Sequence, residues 1–326
     1  MSLNRETPRE RGSLAPTNTF ENEQTMEHEY KRIHGVAAPK SMTMERLVEM
    51  DELVVAQSTQ LCLRQGCCRP SINWVLLDGS NYTPGSSPFD LPNVGGWIHE
   101  ESTFVQRCCF GEGGCRETKF VHHAGEPPAS MNIDDRNCCR IQTTPASVFL
   151  SPEDLKADIV AVHEKGMSCA AGCCCFTPYL RTFDGEGQFL GETRYVCDGY
   201  IFVPKFVVLD QYRQTKYLLR PDTCFFGLCL LPRCGGQGGK CCRLPFLVRD
   251  PNTYETVSAN VHEGQAQVTQ LWSGLANEVC FKRHAYHVGF PSDANMKDKL
   301  TLIGSSILVD VALFEKDDNG GGGGGG

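Results

Sequence analysis

The residues with the most latent chemistry in this chain are its thiols. There are 19 cysteines among 326 residues, several of them adjacent: Cys67-Cys68, Cys108-Cys109, Cys138-Cys139, Cys173-Cys174-Cys175 and Cys241-Cys242. Thiols serve as disulfide partners, metal ligands, S-acylation sites or small buried hydrophobes. The opening "MSLNRETPRERGSLAPTNTFENEQ" lacks the apolar stretch of a secretory signal. The sequence therefore predicts a reducing compartment and no disulfide framework. Zinc would call on Cys224, Cys229, Cys234 and Cys241, with Cys242 beside them. Their first spacings exceed the tight C-x2-C of a zinc ribbon, and "FFGLCLLP" is too apolar for a knuckle, so zinc is the minority alternative.

Covalent catalysis would pair a cysteine with His122, His123 or His163. No nucleophile elbow, P-loop, dinucleotide turn or HExxH accompanies them. "CGGQGGK" (Cys234 to Lys240) lacks both the spacing and the hydroxyl residue of a phosphate loop. Enzymatic chemistry is not expected. The formal net charge of −8 opposes broad nucleic-acid binding, which needs a basic surface to displace counterions. Basic residues do gather locally: Lys282, Arg283, Lys297 and Lys299 flank the last apolar segment and would suit an anionic headgroup.

Positioning these groups falls to extended structure. Residues 1–43 mix charges with Pro, Ser, Thr and Asn without a sustained period and read as a loosely attached tail. Residues 317–326, acidic and then pure glycine, read as a flexible end. Between them "INWVLLDGSN", "PYLRTFDGEGQFLGETRY", "PKFVVLDQYRQTKYLL" and "LPFLVRDPNTYETVSAN" share one grammar. Each has a β-branched or aromatic run that ends in Asp and then a polar turn, the pattern of repeated hairpins in a sandwich or barrel. One helix is expected in "LSPEDLKADIVAVHEKG": Ser151 as N-cap, a stripe of Leu155, Ile159 and Val162, and Gly166 as the stop. It would form a helical insertion at 141–172 within a domain spanning 44–316.

The segment "FPSDANMKDKLTLIGSSILVDVALFEK" (Phe290 to Lys316) is the most apolar passage. Ser292 and Asp293, after Phe290-Pro291, suit a helix start. Between Leu300 and Phe314 the polar residues Thr301, Gly304, Ser305, Ser306 and Asp310 spread around the helix, so all sides are buried, in protein or in lipid. As a helix this stretch reaches roughly 22 Å, against an acyl core of about 30 Å. Asp310 near a bilayer centre would cost about 2.5–3.5 kcal/mol. Leu300, Ile303, Ile307, Leu308, Val311 and Phe314 are thus expected to form a core helix inside a β-structure.

The second half of the chain resembles the phospholipid scramblases. The resemblance rests on "VPKFVVLDQ", "RPDTCFFGLC", "LPFLVRD", "QVTQLWSGL" and the closing "VGFPSDANMKDKLTLIGSSILVDVALFE". Their order and spacing cover about 178–316, and "LVEMDELVVAQSTQLCL" (Leu47 to Leu63) is similar to the family's opening strands. The resemblance implies a mainly β fold, a closed antiparallel tubby-like β-barrel around a central hydrophobic C-terminal helix. It also implies ATP-independent, bidirectional movement of phospholipids between leaflets, stimulated by calcium. The implied setting is the cytosolic face of a membrane, the plasma membrane first and the cytoplasm as alternative.

Carried residue by residue, the resemblance assigns acylation to Cys173, Cys174 and Cys175, where two chains would anchor stably and one only marginally. It assigns the calcium loop to "KRHAYHVGFPSD", with His284, Tyr286 and Asp293 as the candidates. Calcium wants several carboxylate or carbonyl oxygens. This stretch has one acid, so its residues predict no conventional calcium site. The competing reading is a non-catalytic scaffold that binds phosphoinositide through the basic residues named above.

Overall fold

The computed structural model describes residues 44–57, 72–83, 86–102, 117–128, 158–168, 176–197, 203–224, 229–230, 243–271 and 284–314. The chain divides into two units, Met1–Pro39 and Lys40–Gly326. All described residues belong to the second.

A short helix, α1 (Met44–Glu49), leads into β1 (Glu52–Gln57). There follow β2 (Asn73–Asp78), β3 (Asn93–Glu101), β4 (Thr118–Ala124), β5 (Ile159–Lys165), β6 (Tyr179–Asp184) and β7 (Phe189–Tyr195). Next come β8 (Phe206–Leu209), β9 (Thr215–Pro221), the small hairpin β10 (Thr223–Cys224) and β11 (Cys229–Leu230), then β12 (Leu244–Arg249), β13 (Gln267–Leu271) and β14 (Ala285–Gly289). The chain then enters α2 (Met296–Val309), which ends in a wider π turn over Asp310–Phe314. Twelve strands close a barrel, β1 pairing with both β2 and β14, and every pairing is antiparallel. The fold is therefore mainly β, a closed antiparallel barrel with a C-terminal helix, and the tubby-like description is consistent with it.

The repeated Asp is a turn device. After β6, Asp184 Oδ1 accepts from Glu186 N at 3.0 Å and Gln188 N at 2.7 Å, and Gly187 supplies the left-handed φ of 84°. After β8, Asp210 Oδ1 accepts from Tyr212 N and Gln214 N at 2.8 and 2.9 Å. Asp78 and Asp250 repeat the arrangement after β2 and β12. An Asx carboxylate that caps its own turn satisfies amides the ladder has abandoned. Two amide donors, from Thr253 and Asn252, hold the Asp250 carboxyl below its ordinary value.

Strand alternation then sorts side chains to two faces. Inward residues such as Trp74, Phe120, Leu180, Phe206 and Phe246 pack into one core with Leu300, Ile303, Ile307, Leu308 and Val311 of the helix segment. A smaller outer cluster joins Val54, Ala56, Val75, Leu77, Leu271 and Ala285 to Phe89.

Two expectations fail here. The stretch read as an amphipathic helix is β5 from Ile159 on, paired with β4 and β6 as an integral barrel strand; residues 151–157 of that reading lie outside the described residues. The stripe of Leu155, Ile159 and Val162 misled because the inward side of this strand is partly polar: Ala161, His163 and Lys165. Alternation was therefore invisible to hydrophobicity. The core helix begins later than Ser292 suggested. Asn295 caps it, accepting from Asp298 N at 3.1 Å while Asp298 Oδ2 accepts from Asn295 N at 3.0 Å, a reciprocal capping box.

Candidate functional site: the enclosed helix and its anchors

Helix α2 packs against β5, β6, β7, β8, β13 and β14, and its residues from Asp298 to Val309 are all buried. Close approach depends on glycine. A Cβ at Gly304 would stand 2.8 Å from His163 Nδ1 and 2.9 Å from Leu180 Cδ2 and Thr182 Oγ1. At Gly191 on β7, a Cβ would stand 2.7 Å from Thr301 Oγ1. The helix's hydroxyls are satisfied locally: Ser305 Oγ lies 2.7 Å from Thr193 Oγ1 and donates to Thr301 O, and Ser306 Oγ donates to Ile303 O.

The first turn is held by charge. Lys216 of β9 places Nζ 2.6 Å from Asp298 Oδ2, and Lys297 Nζ donates to Gln211 Oε1 at 2.6 Å. Lys299 is buried, and its ammonium donates to Leu47 O, Val48 O and Met50 O at 3.3, 2.6 and 2.5 Å. Those carbonyls end α1, where a helix lacks partners and carries partial negative charge. Burial lowers the Lys299 ammonium below its ordinary value, opposed by Asp51.

The far end is held by Asp310, 1% exposed. Its Oδ1 accepts from Tyr286 Oη at 2.9 Å and lies 2.6 Å from His284 Nδ1, and Gln57 Nε2 donates to Oδ2. Tyr286 belongs to β14 and Gln57 to β1, and Gln57 N also donates to His284 O at 2.9 Å. One carboxylate thus bridges both strands of the barrel's closing seam.

Histidines line the waist. His122 and His163, both fully buried, face the helix side with ring centroids 6.3 Å apart. Among the described residues, neither His122 nitrogen nor His163 Nε2 has a hydrogen-bond partner, while His163 Nδ1 lies 3.1 Å from Thr182 Oγ1. Desolvation holds His163 down to about 3 and His122 well below the histidine range, the latter helped by His163 and His123. On the outer face, His123 Nε2 lies 3.1 Å from His99 Nδ1, and Trp97 stacks on His123 at 4.2 Å. Desolvation, aided by His123 and opposed by Glu101, brings His99 to about 4.

The expected core-helix residues Leu300, Ile303, Ile307, Leu308 and Val311 lie in the core; the Phe314 side chain is outside the described residues. Of the calcium candidates, His284 and Tyr286 converge on Asp310, whereas Asp293 is exposed before the helix start, so the three do not share a site. Of the basic patch, Lys299 is withdrawn: it is an internal cap, because the α1 carbonyls need donors. Lys297 is half-buried, and Lys282 and Arg283 lie outside the described residues, as do Cys173, Cys174 and Cys175. Cys224 and Cys229 are register partners in β10–β11, and Cys234 and Cys241 lie outside the described residues. Among the described residues no group of three metal-binding side chains forms. Cys197 is disulfide-bonded, against the expectation of reduced thiols. Sequence reading weighed Asp310 only as an insertion penalty, and the anchors Gln57, Lys216 and Asp298 carried no signal.

Comparison with known proteins falls on this helix and the strands before it. Residues 239–316 match the family model described as Scramblase. The matched stretch supplies β12, β13, β14 and α2, and it bears out the resemblance to the phospholipid scramblases. No solved structure matches the chain. Scramblase-like sequence therefore encodes the enclosed helix, its capping box, and β14 on one side of the seam that Asp310 bridges.

Proposed function

We propose that the protein moves phospholipids between leaflets in both directions without ATP, at the cytosolic face of a membrane, the plasma membrane foremost. The observation that carries this is the scramblase match over 239–316, the segment that builds the helix and β14 of its seam. Attachment is by acyl chains on Cys173, Cys174 and Cys175; two chains suffice for a stable anchor.

The helix stays in the barrel during this work. Among the described residues no helix is long and apolar enough to cross a membrane. Leaving the barrel would also strip Asp310 of Gln57, His284 and Tyr286 and carry a carboxylate toward lipid, at about 2.5–3.5 kcal/mol for the acid alone near the bilayer centre. Lipid is therefore handled on the barrel's outer surface or rim. Calcium is not required: His284 and Tyr286 are engaged by Asp310, and a single acid is a poor oxygen set for that ion. No zinc is needed.

The test is reconstitution of the purified full chain in vesicles carrying fluorescent phospholipid, with dithionite reporting the outer leaflet. Leaflet exchange above empty vesicles, equal in calcium and in chelator, is expected. Exchange no faster than in empty vesicles would overturn transport and leave the phosphoinositide scaffold, now with Lys297 but without Lys299.

A further inference from the structure

The β10–β11 hairpin is a two-stranded sheet of its own, separate from the barrel ladder. It continues from the end of β9: only Asp222 separates Pro221 from Thr223, and Asp222 N donates to Pro245 O at 3.4 Å. Its ladder has two register pairs, Thr223 opposite Leu230 and Cys224 opposite Cys229. Even a full-length two-stranded hairpin is only marginally stable in water. Backbone pairing alone therefore holds this one weakly.

Cysteine occupies both sides of one of those pairs. Directly opposed residues in an antiparallel ladder have Cα atoms about 5.5 Å apart when hydrogen-bonded to each other and about 4.5 Å apart when not. A disulfide spans Cα separations of about 4.4–6.8 Å, so either kind of pair can be bridged without moving the backbone. Two further observations bear on oxidation. Cys197 is in a disulfide, and it follows β7, which ends at the same rim as β9 because both run antiparallel to β8. The chain thus carries an oxidised cysteine at the rim from which the hairpin continues. Thr223, next to Cys224, is exposed, which puts the hairpin within reach of small molecules in solvent.

We propose that Cys224 and Cys229 are a redox-responsive pair that closes to a cross-strand disulfide by exchange with a small disulfide of the glutathione class. One cysteine, as thiolate, attacks a sulfur of the glutathione disulfide, breaks its S–S bond and releases the first glutathione. The other, as thiolate, attacks the cysteine sulfur of that mixed disulfide and releases the second. The pair loses two electrons, which reduce the glutathione disulfide, and the two thiol protons end on the two glutathiones. Closed, the bond clasps a hairpin that two register pairs hold weakly. It also withdraws two of the four thiols of the zinc alternative. Because it lies outside the barrel ladder, it forms and breaks without disturbing the strands that enclose α2.

The test equilibrates the full chain in glutathione buffers of graded oxidised-to-reduced ratio, then quenches with acid, alkylates free thiols and digests with trypsin. The peptide 217–233 carries Cys224 and Cys229 and no other cysteine, and its internal Arg220-Pro221 bond resists the protease. Mass spectrometry is expected to find this peptide unalkylated and two hydrogens lighter than the dithiol, its fraction rising with the ratio as one two-electron step. In concentrated urea the same step is expected at a ratio about tenfold higher or more, because register and not mere closeness in sequence brings the thiols together. Equal midpoints with and without urea would overturn the proposal. So would linkage of either cysteine to Cys197 or to any other cysteine, or alkylation of both at every ratio. Cys229→Ser isolates the first exchange: its Cys224 is expected to stop at the glutathione mixed disulfide, and a peptide without glutathione at the most oxidising ratio would sink the exchange step.

Discussion

The two ends of the central helix are held by opposite electrostatic logic. At the start, Asp298 lies where the helix dipole favours negative charge, and Lys216 reinforces it. At the finish, Asp310 places a carboxylate against the dipole, just where the helix widens into a π turn. That placement is offset only by donors from outside the helix: Gln57, His284 and Tyr286. The first end fixes the helix to α1 and β9. The second fixes the helix and also joins β1 to β14. An acid that opposes its own helix earns its place through the barrel seam.

The largest expected effect is therefore at Asp310. Asp310→Ala removes the shared carboxylate of Gln57, Tyr286 and the half-buried His284 and should cost about 3–5 kcal/mol in chemical denaturation. Hydrogen exchange should quicken in β1 and β14 before the other strands. Uniform quickening around the barrel would contradict the seam role.

Acid tests the waist between the two ends. His99, His122 and His163 have folded-state values below the unfolded value near 6.5, so below that pH the unfolded chain binds more protons. Their contribution is intact above about pH 6.5 and is lost as pH falls toward about 4 for His99 and about 3 for His163. Each adds about 1.4 kcal/mol per pH unit once the unfolded state is protonated. His163→Gln should flatten the slope of stability against pH by one proton's share, and an unchanged slope would show that His163 does not titrate as described.

The first end should give less. Lys299→Met removes the donor of three carbonyls and is expected to cost about 1–3 kcal/mol, with seam exchange unaffected. Loss of seam protection in this variant would erase the distinction between the ends. Smallest is Asn295→Ala, about 1 kcal/mol from the lost cap, read as a lower melting temperature.

Legibility followed locality. The Asp-ended hairpins could be read because an Asx turn is written in adjacent residues, as at Asp184 and Asp210. The helix could be read because an all-round apolar face has few homes, and its length with Asp310 pointed inward. β5 could not be read, since His163 and Lys165 put polar groups on the buried face. Lys299 could not be placed either: its partners are the carbonyls of a helix at the other end of the chain.

The seam has a temporal consequence. β1 is made before every other strand of the barrel, and Glu52 must wait for Gly289 before its second edge is covered. Pairings this distant in sequence form slowly, and the helix that fills the interior follows β14, so closure and filling belong to one late event. Until then "ELVVAQ" is an apolar strand with an open edge, the kind of surface that recruits other chains. Yield in cells should therefore depend on holding that first edge through synthesis.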